Sequence, residues 1–393
     1  MRIAAALVLA CAVPISAAPI LGPELRTDVI PGANNVLDRP VPALAIAADD
    51  DGFVIAWSQR EQQYAASGRI HVARLDRGGH MLFSRVLPPA TGAGNPDETN
   101  PVLARNGDGW IIAWSESEPG GTPSTAAIYR LDAELHERQL VLRTVRDTTL
   151  ATATRASTTV VLSGGDTFQF GPDGTLLREL WQPTTDTTVA DGNLVPIHWA
   201  TQPYIAHPQG FCNWFGQTCP PQPARYQVFI GSDDARPVVD APFYSGVAPA
   251  VATNGSEYLV AHSCGGETGY VCATHVDANF RKTTTGPLPQ AEPSRIAFAA
   301  TPRSASDGER YVVVWNALRD DRSDNDILGA IINSDGTEEA LVIAGSPENE
   351  SNATVVAVGP GSFFVVYEVT IGVERQLAGR FIDFLQPRRR AAP

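Results

Sequence analysis

Short apolar runs recur along this chain, and several of them end in an aromatic residue. The clearest is Phe-Val-Ile-Ala-Trp at positions 53–57, and the turns near such runs carry Asp-Gly or Asn-Gly. The residues that end the runs are Trp57, Trp114, Leu162, Trp214, His262, Trp315 and Tyr367. Their successive spacings are 57, 48, 52, 48, 53 and 52 residues. A period of about 50 residues predicts a repeat architecture, in which each unit buries its faces by stacking on a neighbour.

Each repeat predicts four antiparallel strands and almost no helix. In one unit, strands are expected over 101–104, 110–114, 127–131 and 139–143, with turns between them. The second strand is apolar at every position, as in Tyr-Val-Val-Val-Trp at 311–315, so both of its faces are expected to be covered. The fourth strand mixes charged and apolar residues, which suits an outer edge in contact with water. Four-stranded sheets of this kind are typical of propeller blades.

The two ends of the chain predict how the sheets are arranged. Residues 24–30 look like a fourth strand, and the last repeat stops after its third strand, at 378–383. We therefore predict an all-β fold, a seven-bladed β-propeller of four-stranded antiparallel blades, closed by pairing of the N-terminal strand with the last blade. The predicted second strands lie at 53–57, 110–114, 158–162, 211–214, 258–262, 311–315 and 363–367.

The signal is weakest in blades three and four. A loop is expected over 182–201, ahead of a strand at 203–206, and counts of six or eight blades stay open. A β-sandwich is the competing all-β fold, but it should not show one unit that recurs through the whole chain.

The repeat resembles that of secreted bacterial β-propeller proteins. Their unit reads Pro-x-x-Ala, then Asp/Asn-Gly, then Tyr/Phe-Leu/Val-Val-x-Trp, then Ile-x-Gly. Copies here are Pro249 to Ala252 with Asn254-Gly255 and Tyr258 to Val260, and Tyr311 to Trp315 with Ile327 to Gly329. The resemblance covers about residues 23–384. It implies the fold and export, and little chemistry, because many members of such families have no assigned activity.

The N-terminus predicts export. Arg2 precedes an apolar stretch at 3–15 and small residues at 16–18, a pattern typical of a cleaved secretory signal peptide. We expect a signal peptide over 1–18, a β-propeller domain over 19–384 and a C-terminal tail over 385–393. The protein is then secreted or periplasmic. In the alternative, Cys11 is lipidated and anchors the protein to a membrane surface. An integral membrane protein is not expected, because no later stretch has the roughly 20 apolar residues needed to span a bilayer.

Four of the five cysteines remain after removal of the signal, and they form two close pairs. We predict the local disulfides Cys212–Cys219 and Cys264–Cys272, because each pair flanks a predicted hairpin. Exported proteins enter an oxidising compartment, where cysteine pairs form disulfides. Other connectivities stay open. A zinc site is the alternative, but these spacings are wider than those of common zinc ligand pairs.

Charge and loop composition indicate what the protein contacts. The net charge is −14, which disfavours nucleic acid and anionic lipid as partners. In a propeller, the loops that follow the second and fourth strands lie on one face around the axis, and here they are acidic. The candidate ligand-binding residues are Trp199, Trp214, Asp97, Glu98, Glu116 and Glu118. The repeated tryptophans that end strands are interpreted as core residues instead.

One loop offers a candidate cation site. Asp320, Asp321, Asp324 and Asp326 supply the oxygen ligands that calcium prefers, although the loop lacks the spacing and glycine of known calcium loops. A solvated turn is the alternative. No other cofactor is predicted.

Enzyme motifs are incomplete in this sequence. It contains neither Gly-x-Ser-x-Gly nor His-Glu-x-x-His, and residues 304–308 and 334–337 match only parts of the Ser-x-Asp-x-Gly-x-Thr-Trp box of sialidase-like propellers. The leading hypothesis is a secreted, non-catalytic binding or scaffold module that engages a protein, glycan or cation through its acidic loop face. The alternative is a glycoside hydrolase or lyase whose carboxylates converge at the axis. The ligand and the oligomeric state stay open.

Overall fold

The structure is a computed structural model of the chain. It describes residues 19–26, 44–60, 68–88, 97–117, 125–144, 148–153, 158–162, 167–180, 188–190, 196–202, 224–230, 239–243, 249–264, 270–277, 279, 281–291, 294–296, 302–319, 324–372 and 374–384. All regular elements within these ranges are β-strands, as predicted. A helix with the length and apolarity to cross a membrane does not occur in these ranges.

The strands in these ranges form seven antiparallel sheets, in which successive strands are neighbours. Two short strands come first, β1 (Pro19–Leu21) and β2 (Leu25–Arg26). Sheet one contains β3 (Leu44–Asp49), β4 (Gly52–Arg60), β5 (Gly68–Asp76) and β6 (Met81–Val86). Sheet two contains β7 (Asp97–Asn106), β8 (Gly109–Ser117), β9 (Thr125–Leu131) and β10 (Glu137–Thr144). Sheet three contains β11 (Thr148–Ala153), β12 (Thr158–Leu162), β13 (Thr167–Phe170) and β14 (Leu176–Leu180).

The remaining sheets follow the same plan. Sheet four contains β15 (Thr188–Ala190), β16 (Pro196–Gln202), β17 (Ala224–Ile230) and β18 (Val239–Phe243). Sheet five contains β19 (Ala250–Thr253), β20 (Glu257–Cys264), β21 (Tyr270–Asp277) and β22 (Lys282–Pro287). Sheet six contains β23 (Ser294–Ile296), β24 (Arg303–Ser306), β25 (Tyr311–Arg319), β26 (Asn325–Ile332) and β27 (Glu338–Ala344). Sheet seven contains β28 (Asn349–Gly359), β29 (Ser362–Ile371) and β30 (Glu374–Phe384), with β1 and β2 beside β30.

The prediction for the second strand of sheet four was wrong. That strand is β16, and both β15 and β16 fall mainly within the predicted loop at 182–201. The segment Pro-Ile-His-Trp-Ala-Thr-Gln at 196–202 is interrupted by His198 and ends in two polar residues, so it lacks the continuous apolar run that marks the other second strands. The segments at 203–206 and 211–214, which we predicted as strands, lie outside the described residues.

The apolar second strands are covered on both faces, as their sequences predict. Along β4, Val54 and Ala56 pack into a core shared with sheet two. The alternate residues Phe53 and Ile55 pack into a core shared with sheet seven. Because successive side chains of a strand point to opposite faces, one continuous apolar run serves two neighbouring sheets.

The N-terminal segment completes sheet seven. Leu21 in β1 pairs with Ile382, and Leu25 in β2 pairs with Gly379, so both short strands lie antiparallel to β30. Sheet seven also packs against sheet one, where the Phe53 and Phe364 rings lie 4.6 Å apart between centroids. The first and last parts of the chain therefore meet, as the sequence predicts. Residues 27–30 of the predicted strand lie outside the described residues.

Candidate functional site

Two predicted site residues at the start of β7 join sheet two to sheet one. They lie at the loop end, by which we mean the end of each sheet where the second strand stops and the third begins. Asp97 Oδ1 accepts a hydrogen bond from the backbone N–H of Gly68 at 2.7 Å. Glu98 Oε2 accepts one from the backbone N–H of Ile70 at 2.9 Å. Since Gly68 and Ile70 begin β5, both acidic side chains hold neighbouring sheets together.

Burial and neighbouring charges change the acidity of Glu98. The residue is 0% exposed. Burial raises the pKa of Glu98 to about 7, and the charges of Glu116 and Asp97 act in the same direction. The hydrogen bond from Ile70 and the charge of Arg69, 3.6 Å away, oppose the rise. Its second oxygen, Oε1, has no hydrogen-bond partner among the described residues. Glu98 therefore titrates near neutral pH.

Sheet seven repeats this arrangement on sheet six. Asn349 Oδ1 accepts a hydrogen bond from the backbone N–H of Asn325 at 3.0 Å, so the pair occupies the places of Asp97 and Gly68. The next residue, Glu350, is 0% exposed, like Glu98. The two sheets thus use equivalent positions for the same contact between neighbours.

A short sequence motif accompanies both buried carboxyl groups, and the sequence analysis did not identify it. The motif reads Glu-Thr-Asn-Pro at 98–101 and Glu-Ser-Asn-Ala at 350–353. Its asparagines, Asn100 and Asn352, have φ angles of 54° and 55°, in the left-handed region that asparagine tolerates better than most residues. The strand register shifts at these positions in both sheets. The bulge separates the carboxyl-bearing end of the strand from its apolar part.

The carboxyl group of Glu350, like that of Glu98, has two acidic neighbours. Burial raises the pKa of Glu350 to about 7, and the charges of Asp326 and Glu24 act in the same direction, whereas hydrogen bonds from Ser346 oppose the rise. Asp326 is itself 0% exposed. The Glu350 Oε2 atom is buried without a hydrogen-bond partner in the described part of the chain. This end of sheet seven therefore holds a carboxyl group whose pKa lies near neutral pH.

Glu24, next to β2, connects the N-terminal segment to this region. It accepts hydrogen bonds from the Tyr367 hydroxyl at 2.8 Å and from Arg26 Nε at 2.7 Å, and Arg380 lies 3.5 Å away. Burial disfavours the charged form of Glu24, but the bonds from Arg26 and Tyr367 outweigh it and the pKa is lowered. Arg26 also pairs with Glu348 of sheet seven at 2.5 Å. An ionised Glu24 thus stabilises the attachment of β2.

Glu116, another predicted site residue, is hydrogen-bonded to a tryptophan side chain. Its carboxylate accepts a hydrogen bond from Trp114 Nε1 at 3.1 Å, and only 3% of the residue is exposed. Gln59 does the same for Trp57, also at 3.1 Å. In sheet six, Ala317 takes this place, and the buried Trp315 Nε1 has no hydrogen-bond partner among the described residues. The residue two positions after the tryptophan therefore decides whether the indole N–H is satisfied.

Several predicted site residues cannot be placed together. Trp199 lies on β16, where it pairs with Val228, rather than on a loop. Trp214, Glu118, Asp320, Asp321, Cys212 and Cys219 lie outside the described residues. Their ligand-binding, metal-binding and disulfide roles stay predictions.

The structure describes two of the four predicted calcium ligands. Asp326 is buried beside Glu350, and Asp324 is partly buried at the start of the same strand region. In the described ranges, one group of three potential metal ligands lies close together, namely Asp132, Glu134 and His136, whose ligand atoms are within 4.8 Å of one another. It lies in the turn between β9 and β10, where Glu134 and His136 are exposed. The calcium prediction stays untested.

The predicted disulfide of sheet five is confirmed. Cys264 and Cys272 are bonded across the hairpin of β20 and β21, with their Cα atoms 5.8 Å apart. This distance is normal for a disulfide. The local connectivity is therefore correct for this pair.

Comparison with solved structures identifies the architecture. The β-propeller domain of the Trilobed protease from Pyrococcus furiosus, which has an open velcro topology, matches with a TM-score of 0.52 and 12% identity, over 85% of this chain and 91% of that chain. The chain has a β-propeller fold. Lower scores come from the NanB sialidase of Streptococcus pneumoniae, with a TM-score of 0.48, 8% identity and coverage of 92% of this chain and 70% of that one. The Trypanosoma rangeli sialidase matches with a TM-score of 0.47 and 10% identity, over 94% of this chain and 60% of that chain. Both scores are too low to support further conclusions.

Neither a family model nor a curated protein matches this sequence. The assignment of the propeller fold therefore depends on structural similarity, and any activity has to be inferred from the residues of this chain.

Proposed function

We propose that this chain is a secreted or periplasmic binding or scaffold protein without catalytic activity, built as a closed seven-bladed β-propeller. The closed ring is supported by the seven sheets, by the pairing of β1 and β2 with β30, and by the core that sheet seven shares with sheet one. Export is supported by the Cys264–Cys272 disulfide, because disulfides persist in oxidising compartments.

The non-catalytic proposal depends on one observation, which is that carboxyl groups at the loop end accept hydrogen bonds from the protein itself. Asp97 and Glu98 accept hydrogen bonds from sheet one, and Glu116 accepts one from Trp114. Acid–base catalysis needs carboxyl groups that are directed at a substrate. Groups engaged in contacts between and within sheets instead give a rigid base for the loops above them, as a binding protein requires.

The ligand is then a protein, a glycan or a cation that contacts the loop face. Trp199 and Trp214 are the aromatic residues proposed to contact it, together with Glu118, whereas Asp97 serves the contact between sheets one and two. An aromatic ring covers a sugar or an apolar side chain well, and acidic groups favour a basic partner or a hard cation.

One observation favours the alternative of a glycoside hydrolase. Glu350 is fully buried, its pKa is raised to about 7, and Asp326 and Glu24 lie close enough to contribute to that rise. A carboxyl group with a raised pKa close to a second carboxyl group is the combination that glycosidases use for their general acid and its partner.

Measurements of glycan binding and of glycan hydrolysis distinguish the binding protein from the glycoside hydrolase. The mature chain, Glu350→Gln and Glu98→Gln are assayed on one panel of polysaccharides and oligosaccharides for binding on an array and for release of reducing ends. Glu98→Gln is the matched control, because it replaces the equivalent buried carboxyl in sheet two. For a binding protein we expect retention of one glycan class without turnover, equally in all three proteins. Turnover that is lost in Glu350→Gln and retained in Glu98→Gln would establish the hydrolase instead.

Thermal melting tests the cation as a ligand. The melting midpoint of the mature chain is compared in calcium and in chelator. A higher midpoint in calcium is expected if the loop at 320–326 binds the ion. An unchanged midpoint would eliminate the cation and leave a protein or a glycan.

A further inference from the structure

Arg303 occupies a place where at least four other sheets carry a shorter, uncharged side chain. It begins β24, a first strand of sheet six, and pairs with Val314. Val314 immediately precedes the tryptophan that ends the apolar run of that sheet. The residues at the same place in sheets one, two, five and seven are Ala45, Val102, Ala250 and Thr354. A long cationic side chain is therefore exceptional at this level among the described strands.

The guanidinium group of Arg303 is desolvated and yet reachable by solvent. The residue lies deep in the protein, while its surface stays partly accessible. Burial alone lowers the pKa of Arg303 to about 10, and no charge or hydrogen bond contributes to the change. Arg303 therefore remains protonated at neutral pH. Solvent access at such depth is consistent with an opening between the first strands of the sheets, which surround the axis of a propeller.

No acidic residue in the described ranges neutralises this charge, and no hydrogen bond ties the guanidinium to them. Arg105, on the first strand of sheet two, shows the ordinary arrangement, since it lies 3.7 Å from Asp50 and donates a hydrogen bond to the carbonyl of Gly107 at 3.3 Å. A desolvated cation without a counter-charge is unfavourable, and an anion that reaches it removes that penalty.

We propose that Arg303 anchors an anion-binding site at the inner wall of the propeller, which takes the oxyanion group of a ligand, either a carboxylate or a sulfate or phosphate. The planar guanidinium presents N–H donors in a fork that matches two oxygens of such a group. In the adjoining sheet five, the equivalent residue is Ala250, whose side chain is only a methyl group. The site serves a binding protein and an enzyme equally, so it does not depend on the function proposed above.

Melting experiments on the mature chain test this site. The wild type, Arg303→Gln and Arg105→Gln are melted in chloride, sulfate, phosphate and acetate at equal ionic strength. We expect at least one oxyanion to raise the melting midpoint of the wild type and of Arg105→Gln above its value in chloride, and titration to show at least tenfold weaker binding to Arg303→Gln. The anion that acts distinguishes a tetrahedral from a planar ligand group. Equal responses of wild type and Arg303→Gln, or no response to any oxyanion, would overturn the proposal.

A further variant separates ligand binding from a structural role. Arg303→Met keeps much of the side-chain length and removes the charge. In chloride alone its melting midpoint should equal or exceed that of the wild type, because an unpaired buried cation has been removed. A clearly lower midpoint would show that the fold itself uses the charge, which contradicts the site. If Arg303→Gln does not fold, Arg303→Lys takes its place, with weakened binding of the oxyanion as the expected result, because Lys retains the charge and lacks the fork.

Discussion

Closure of the ring can be tested at one glycine. Gly79 lies in the turn between β5 and β6, with a φ of 81°. A Cβ atom at this position would lie 2.7 Å from Leu25 Cδ1 of β2 and 3.0 Å from Phe364 Cζ of sheet seven. Gly79→Ala therefore places a methyl group between sheet one and the completed sheet seven. Gly336 is a matched control, because it occupies the equivalent turn of sheet six, also with a φ of 81°, and a Cβ there meets no atom within 4 Å.

The two substitutions share one energetic term and differ in another. Both place alanine in the left-handed region, which costs about 1–2 kcal/mol. Gly336→Ala should lose only this amount. Gly79→Ala should lose about 1–3 kcal/mol more, the usual range for an extra methyl group in a packed core, because Phe364 is 1% exposed and has little room to move.

Urea unfolding of both variants, followed by tryptophan fluorescence, measures this difference. The comparison requires equal dependence of the unfolding free energy on urea, so that the midpoints report stability. A greater loss in Gly79→Ala supports the packing of the N-terminal segment and sheet seven on sheet one. Equal losses in the two variants would refute it, since an open ring leaves Gly79 as unobstructed as Gly336.

Three other predictions concern the disulfide and the buried acids. Replacing both Cys264 and Cys272 by serine should lower the unfolding free energy by about 2 kcal/mol, the entropy of a short loop, and a reducing agent should then have no further effect on this hairpin. Glu116→Ala should lower it by about 1–3 kcal/mol in urea unfolding by leaving a buried indole N–H unpaired, whereas Glu116→Gln should retain most of the stability. Glu98 and Glu350 bind protons more tightly in the folded protein, so the stability that each contributes is lost as pH rises from 4.5 to 7, by at most about 3 kcal/mol. Their Gln variants should narrow the difference in stability between pH 5 and pH 8, and an unchanged difference would contradict the raised pKa values.

The strands were predicted best where burial on both faces of the sheet requires a continuous run of apolar residues. Second strands such as β4 and β25 are buried on both faces, so their continuous apolar runs were unambiguous. The prediction failed at β16, where polar residues interrupt the apolar run. We therefore assigned this repeat to a later tryptophan, Trp214. The pairing of the N-terminal segment with β30 was predictable because the last repeat lacks a fourth strand.

The candidate site was less predictable, because burial at the loop end depends on contacts between sheets. Asp97, Glu98 and Glu116 were expected on an acidic surface, since acidic residues next to turns are usually solvated. Instead the first strand of sheet two extends far enough to reach β5 of sheet one. The repeated motif at 98–101 and 350–353 could have indicated this, because two copies of Glu-Ser/Thr-Asn in equivalent places point to a shared structural contact.

Departures from the repeat identify the residues that the fold alone does not explain. Gly68 and Asn325 are equivalent by their hydrogen bonds to the next sheet, which makes Arg69 the counterpart of Asp326. The same buried carboxyl position therefore faces a cation in one sheet and an anion in another. Arg303 also departs from the repeat, as a charge where sheets one, two, five and seven carry shorter, uncharged side chains. Arg69 has partners within the fold, since it lies 3.6 Å from Glu98 and donates a hydrogen bond to the carbonyl of Leu87 at 3.1 Å. Arg303 has no such partner among the described residues, which supports the proposed anion site.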